Sequence, residues 1–192
     1  MHAPHPTSRR GFLSRAARLG GAAALPAFTA TAGLGTAAAG LHPPRALALV
    51  HTHTHEAVDL VYGIGPRYLP EALDVLDHFL RDHHSGAVGR IDPGVYELLH
   101  GVRHLLGLGG GAPFEVISGY RAPATNARLR ATRGGGVARH SLHMEGRAID
   151  VRLPGVPLAT LRDAARALAG GGVGYYPREQ FVHLDTGRVR HW

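Results

Sequence analysis

The stretch Ser141-Leu-His-Met-Glu-Gly-Arg-Ala-Ile-Asp150 carries most of the information about how this chain folds and what it does. It places His143 and Asp150 seven positions apart across Gly146, and its last residues open an apolar segment typical of a strand. Glycine supplies the backbone freedom that a loop needs to fold back on itself. The stretch therefore predicts that the imidazole of His143 and the carboxylate of Asp150 face the same point.

A second stretch, Phe181-Val-His-Leu-Asp185, places His183 and Asp185 two positions apart. Alternation along a strand sends both side chains to one face. The chain has no cysteine, so any metal must be held by histidines and carboxylates. Two histidines and one aspartate would give a metal three protein ligands and leave a position open, as in catalytic zinc sites. With 15 histidines in the chain, unrelated surface histidines are the alternative on spacing alone.

The apolar patterning outside these two stretches predicts alternating short strands and amphipathic helices. The second helix has the clearest start, with Asp92 as the N-cap and Pro93 at the first helical position, and it should turn Val95, Leu99 and Leu105 inward. The predicted strands are 45–53, 56–63, 114–118, 147–153, 172–176, 181–185 and 189–191, and the predicted helices are 69–83, 93–105, 122–132 and 157–169. This order predicts one α+β domain with a small, mostly antiparallel sheet packed with helices.

The N-terminal segment reads Ser8-Arg-Arg-Gly-Phe-Leu13, followed by an Ala-, Gly- and Leu-rich stretch without acids up to Gly40. It resembles a twin-arginine signal peptide. The alternative is a disordered basic tail. The resemblance implies recognition by the twin-arginine export machinery and a destination beyond the inner membrane. We expect residues 1–39 to be the signal peptide and residues 40–192 to be the functional domain.

The charge of the chain is concentrated at its N-terminus. The net charge is +7, but four arginines fall in residues 1–39, which leaves +3 on residues 40–192. That remainder is scattered rather than clustered, so nucleic-acid binding is disfavoured, whereas an anionic polymer such as a cell-wall glycan is compatible. The only long apolar run is N-terminal, so no transmembrane anchor is expected after processing. We expect a monomer.

The pattern Ser-x-His-x-x-Gly-x-Ala-x-Asp at residues 141–150 resembles the signature of zinc peptidases related to D-alanyl-D-alanine carboxypeptidases and VanX-type dipeptidases. The segments 118–126, 174–177 and 181–190 narrow the resemblance to the murein endopeptidase K branch, from about Arg45 to Trp192. The resemblance implies a D-alanyl-D-alanine peptidase or hedgehog-like fold with one Zn²⁺. The implied ligands are His143, Asp150 and His183.

The same resemblance implies hydrolysis of peptide cross-links or stem peptides of peptidoglycan in the periplasm or cell envelope. It also places Arg121 beside the metal, where a guanidinium can hold the developing oxyanion or a substrate carboxylate. The alternative for Arg121 is a structural bridge between strand and loop. Two other functions stay open: a zinc-containing wall-binding module without turnover, and a carboxypeptidase.

The general base is not identified by the resemblance. The related carboxypeptidases carry a Glu three positions before the last zinc-binding His, and here that position is Gln180, which cannot take the proton. Asp185 is the preferred base because it shares a strand face with His183. Its alternative role is to accept a hydrogen bond from a ligand imidazole. Three further candidates are Glu179, His140 and Glu145.

His51, His53 and His55 alternate along the first predicted strand, so they are expected to line one face of it. Such a face could bind a metal independently of the site above. The alternative is an exposed polar face.

Overall fold

The structure is a computed structural model that describes residues 43–109, 111–132 and 137–192. Its strands are β1 Pro44–His51, β2 Ala57–Ile64, β3 Arg67–Tyr68, β4 Phe114–Ser118, β5 Ala148–Arg152, β6 Gly172–Tyr176, β7 Phe181–Asp185 and β8 Arg190–His191. Its helices are α1 Pro70–Phe79, α2 Pro93–Leu105, α3 Pro123–Thr132 and α4 Leu158–Ala167, with a 3₁₀ turn at Leu142–Glu145.

The strands form one eight-stranded sheet in the order β3-β2-β1-β4-β5-β7-β6-β8. Neighbouring strands are antiparallel except for two parallel pairs, β1 with β4 and β6 with β8. The predicted α+β class and the mostly antiparallel sheet are confirmed. The sheet is larger than expected, and the two-residue strand β3 at its edge was not predicted because two residues carry no periodicity.

Helix α2 begins as predicted, since the side chain of Asp92 accepts a hydrogen bond from the backbone N–H of Gly94. Val95 and Leu99 are fully buried, as expected. Leu105, in contrast, is 51% exposed, so its predicted inward position is wrong. It is the last residue of the helix, and the next residue, Leu106, packs against the core instead.

Helix α1 ends at Phe79, four residues earlier than the apolar pattern predicts. The carboxylate of Asp82 accepts hydrogen bonds from the backbone N–H groups of His84 and Ser85, which holds this segment in a turn. The other carboxylate oxygen of Asp82 accepts from the N–H of Ala122, so a contact distant in sequence also stabilises the turn.

One apolar core joins the sheet to helices α1, α2 and α4. Its largest fully buried members come from both classes of element: Leu47, Leu49, Tyr62, Leu76, Tyr96, Leu99, Phe114, Ile149, Leu161 and Leu184. Strand β5 lies between β4 and β7 and is buried along most of its length. Central strands of this kind are held on both sides, so side chains on them are positioned with little freedom.

A row of partner residues crosses four adjacent strands. Ser118 on β4 pairs with Asp150 on β5, Asp150 pairs with His183 on β7, and His183 pairs with Gly174 on β6. Partner residues in antiparallel strands project from the same face of the sheet. The row therefore brings two of the predicted ligands together.

No helix in the described ranges is long and apolar enough to cross a membrane.

Candidate metal centre

Asp150 and His183 are direct cross-strand partners, and their side chains meet. The distance from Asp150 Oδ1 to His183 Nδ1 is 2.8 Å. The sequence prediction that these two residues share a site depended on their being on strands, and strands β5 and β7 provide that arrangement.

His143 reaches the same point from the 3₁₀ turn that precedes β5. Gly146 ends this turn in the left-handed conformation, with φ of 66°. A Cβ atom at this position would lie 1.8 Å from the carbonyl oxygen of Arg90, so only glycine fits without a backbone shift. With the loop folded back in this way, His143 Nε2 lies 3.3 Å from Asp150 Oδ1 and 3.2 Å from His183 Nδ1.

These three side chains form a group of donors suited to a metal ion. One ligand atom from each lies within 4.8 Å of the others, and this is the only such group in residues 43–109, 111–132 and 137–192. The residues are 3%, 6% and 9% exposed. A buried carboxylate beside two imidazoles is a donor set that Zn²⁺ and similar ions accept.

The remaining ring nitrogens are committed to other acceptors, which sets the tautomers. His143 Nδ1 donates to the carbonyl oxygen of Gly119 at 2.7 Å. His183 Nε2 donates to the carboxylate of Asp185 at 3.0 Å. The lone pairs of the neutral rings are then left on His143 Nε2 and His183 Nδ1, which face Asp150. The residues therefore fit a metal cation at this point.

The pKa values show how strongly the site favours a positive charge. Burial lowers the pKa of His183, but its hydrogen bonds to Asp150 and Asp185 outweigh that effect and raise it to about 9. Burial would raise the pKa of Asp150, yet the neighbouring histidines hold it far below its usual range. Burial lowers the pKa of His143. In the metal-free protein a proton on His183 therefore balances the carboxylate of Asp150.

Asp185 lies on the Nε2 side of the His183 ring, opposite the ligand atom Nδ1, and is fully buried. Its carboxylate accepts hydrogen bonds from the backbone N–H groups of Gly172 at 3.1 Å and Gly187 at 2.8 Å. Both oxygens also accept from the guanidinium of Arg190, at 3.0 and 2.7 Å. The carboxylate thus contacts the ring of a predicted ligand, and it does not line the main cavity.

Arg121 lies beside the centre, with Nη2 3.8 Å from Asp150 Oδ2. Its guanidinium is positioned by Ser118 Oγ at 3.3 Å and Asn126 Oδ1 at 3.5 Å, both of which accept hydrogen bonds. Its backbone N–H also donates to the carbonyl oxygen of His143 at 3.1 Å. The side chain thus lies beside the predicted ligand Asp150, and it also bridges strand and loop.

A cavity of about 480 Å³ opens over the three ligand atoms. Trp192, in the aromatic wall of this cavity, was not predicted from the sequence. Trp192, 46% exposed, lies with its ring 5.3 Å from that of His183 and donates from Nε1 to Tyr176 Oη at 2.7 Å. Tyr176 stacks on Phe181 at 4.5 Å. Gly174 makes room for this wall, because a Cβ there would lie 2.7 Å from the Trp192 ring.

The candidates for a general base differ in whether they line the main cavity. Glu179 and His140 both line the main cavity. Glu145 does not, and its carboxylate pairs with Arg147 at 3.3 Å. Gln180 has a left-handed backbone with φ of 58°, and its side-chain amide donates to the carbonyl oxygen of Pro177, outside the cavity.

The predicted common face of His51, His53 and His55 is wrong. Strand β1 ends at His51, and a turn follows, so His51 is fully buried whereas His53 and His55 are exposed. His53 instead stacks on His83, with ring centres 4.1 Å apart and planes tilted by 8°.

Comparison with known proteins identifies a family and relatives that cover most of the chain. The family model described as Peptidoglycan L,D-endopeptidase MepK matches residues 39–192. A protein of that name from Escherichia coli (strain K12) is 44% identical over 149 residues, which cover 78% of this chain and 80% of the relative. A "Probable peptidoglycan L,D-endopeptidase MepK" from Haemophilus influenzae is 40% identical, covering 78% and 79%.

The resemblance to the murein endopeptidase K branch, seen first in residues 118–126, 141–150 and 181–190, is thereby confirmed. On the extent of the family match and the identity of these relatives, the chain belongs to the Peptidoglycan L,D-endopeptidase MepK family of peptidases.

Proposed function

We propose that this chain is an exported, zinc-dependent peptidoglycan endopeptidase that hydrolyses peptide cross-links or stem peptides of the cell wall. The observation that carries the proposal is the convergence of His143 Nε2, Asp150 Oδ1 and His183 Nδ1 on one point under an open cavity. The names of the relatives supply the substrate class, since they are called peptidoglycan L,D-endopeptidases.

The three ligands would hold one Zn²⁺, as in the hedgehog-like fold of D-alanyl-D-alanine peptidases that the sequence resembles. Zinc favours imidazole and carboxylate donors, and three protein ligands leave a position for water or substrate. When bound, it would polarise the scissile carbonyl and acidify a water molecule.

The protein side chains would then divide the remaining tasks. Asp185 holds the His183 ring so that Nδ1 faces the metal. Arg121 places a positive charge where the carbonyl oxygen becomes negative, or where a substrate carboxylate binds. Glu179 takes the proton from the attacking water, since it is the carboxylate other than Asp150 among the described residues that line the main cavity. His140 is the second candidate for that proton transfer.

Export and location belong to the same proposal. Residues 1–39 lie outside the described residues, and their resemblance to a twin-arginine leader supports export by that machinery to the periplasm or cell envelope. Residues 40–192 would then act as a monomer on the cell wall.

The test measures metal content and cleavage together. Purified protein is expected to carry one zinc per chain and to release muropeptides from sacculi, and a chelator should stop the release. His183→Ala should lose both zinc and activity, whereas His104→Ala, a change at an exposed histidine of α2, should lose neither.

Three outcomes would contradict the proposal. Bound zinc without cleavage would instead favour a wall-binding module. Loss of only terminal residues from stem peptides would indicate a carboxypeptidase, and mass spectrometry of the digest distinguishes this product. Cleavage that persists after zinc is removed would exclude metal-dependent hydrolysis.

A further inference from the structure

A second cavity, of about 110 Å³, lies next to the metal centre. It shares Arg121, Asp150 and Phe181 with the main cavity, so the two cavities meet at Asp150, one of the three predicted ligands. Trp192 and Tyr176 line only the main cavity, and His53 and His84 line only the second. A ligand lying across the metal centre would thus find a separate space on each side of it.

The second cavity is lined by histidines that the metal centre does not use. The ring of His83 stacks on that of His53 and lies 4.1 Å from that of His84. His51 lies beneath them, and its Nδ1 accepts a hydrogen bond from the backbone N–H of His53 at 3.1 Å, which holds the turn in place. Ring stacking and this hydrogen bond therefore fix the positions of the histidines that line the cavity.

This lining suits an acceptor-rich ligand. Burial and the neighbouring histidines lower the pKa of His83 to about 4, so its ring is neutral at neutral pH and still offers one N–H. Two acidic residues, Asp82 and Asp150, line this cavity. The carboxylate of Asp82 is 2% exposed and accepts hydrogen bonds from the backbone N–H groups of His84 and Ala122 at 2.8 Å each. The negative charge of Asp82 is thus stabilised by backbone N–H groups.

A second metal is not the occupant that the geometry favours. The only three donors close enough to share an ion in residues 43–109, 111–132 and 137–192 are His143, Asp150 and His183. In the stacked pair of His53 and His83, the rings lie face to face, so their in-plane lone pairs do not converge on one point.

We propose that the cavity lined by His53, His83 and His84 is a second peptide-binding subsite, which receives a carboxylate-bearing arm of the cross-linked substrate. This inference rests on the proposed function, since an enzyme that cuts a cross-link must hold peptide on both sides of the scissile bond. The main cavity, with its aromatic wall, holds the other arm. Arg121 lies at the junction, where its guanidinium can attract the carboxylate toward the histidine N–H groups.

The test compares two substrates: a purified cross-linked muropeptide dimer, and the same dimer with its free carboxylates amidated. The variant is His53→Ala combined with His84→Ala, because both side chains are exposed and their removal leaves the core intact. The matched control is His55→Asn, an exposed histidine of the same loop that does not line the cavity and whose left-handed backbone asparagine tolerates.

The double variant is expected to raise the KM for the dimer about tenfold with kcat and bound zinc unchanged, as the loss of one or two hydrogen bonds to substrate implies. The amidated dimer should show the raised KM with the parent protein already and little further change with the variant. His55→Asn should match the parent.

An unchanged KM for the dimer in the double variant would overturn the subsite while leaving the proposed function standing. An equal loss for both dimers would overturn the carboxylate assignment, and a fall in kcat with KM unchanged would overturn a binding role. If the zinc-loaded parent cleaves neither dimer, the proposed function itself fails, and the subsite fails with it.

Discussion

Replacing Asp185 by Asn decides between the two roles considered for this residue. In the parent, Asp185 Oδ2 accepts hydrogen bonds from His183 Nε2 at 3.0 Å and from Arg190 at 2.7 Å. The other oxygen accepts from the backbone N–H groups of Gly172 and Gly187. An asparagine that keeps the backbone partners must turn its NH₂ group toward His183. The ring can then accept that hydrogen bond only by moving its own proton to Nδ1.

Because Nδ1 is the atom proposed to bind the metal, the exchanged tautomer would have no lone pair for zinc. Loss of an acceptor behind a ligand histidine typically weakens metal binding about 10- to 100-fold, which corresponds to about 1.4 to 2.7 kcal/mol. We therefore expect the zinc Kd of Asp185→Asn to rise by that factor. Activity should return as free zinc is raised above the new Kd.

The assay is competition for zinc with a chromogenic chelator, followed by kcat measured on a muropeptide dimer over a range of free zinc. Asp163→Asn, at an exposed carboxylate paired with Arg162, is the matched control and should leave both values unchanged. A zinc Kd equal to that of the parent, with kcat lost at saturating zinc, would refute the orienting role and restore Asp185 as the base.

Substitutions at His51, Gly146 and Arg121 test three further contacts. Burial lowers the pKa of His51 from 6.5 to about 4, so the folded state favours the neutral ring and the free energy of unfolding should fall by at most about 3 kcal/mol between pH 6.5 and pH 4. Urea unfolding across that range measures the fall, and His51→Asn should make the free energy of unfolding less dependent on pH. Gly146→Ala places a Cβ against the carbonyl oxygen of Arg90 at a backbone φ of 66°, so it should lower the free energy of unfolding by at least about 1 to 3 kcal/mol and weaken zinc binding. An unchanged urea midpoint and an unchanged zinc Kd would show that the turn tolerates a side chain. Arg121→Gln should lower kcat about 10²- to 10³-fold while the zinc content stays at one per chain, as measured by steady-state kinetics and metal analysis. A kcat equal to that of the parent would show that Arg121 has only a structural role.

The parts of the site that lie on strands could be predicted from local sequence. The apolar segment at 147–153 and the alternation at 181–185 predict strands that carry Asp150 and His183, and the structure pairs those strands. Gly146 indicated a sharp turn, and its positive φ agrees with that prediction. Local patterns of this kind depend only on near neighbours in the chain, which is why they were sufficient here.

The parts that depend on distant contacts could not be predicted. Alternation placed Asp185 near His183, but it does not tell which ring nitrogen the carboxylate meets, and that choice separates an orienting group from a base. Trp192 reaches the site only because β8 pairs in parallel with β6, a pairing that no local pattern specifies. The cavity at His84 likewise depends on Asp82 binding the backbone of Ala122, 40 residues away.

The cross-strand row has a consequence for the choice of ion. The separation between Asp150 and His183 is set by the spacing of adjacent strands, about 4.8 Å, which the ladder of backbone hydrogen bonds resists changing. His143 stands instead on a single short turn. An ion with a larger radius than zinc, such as cadmium, would therefore be accommodated by displacement of that turn, while the separation between Asp150 and His183 stays the same.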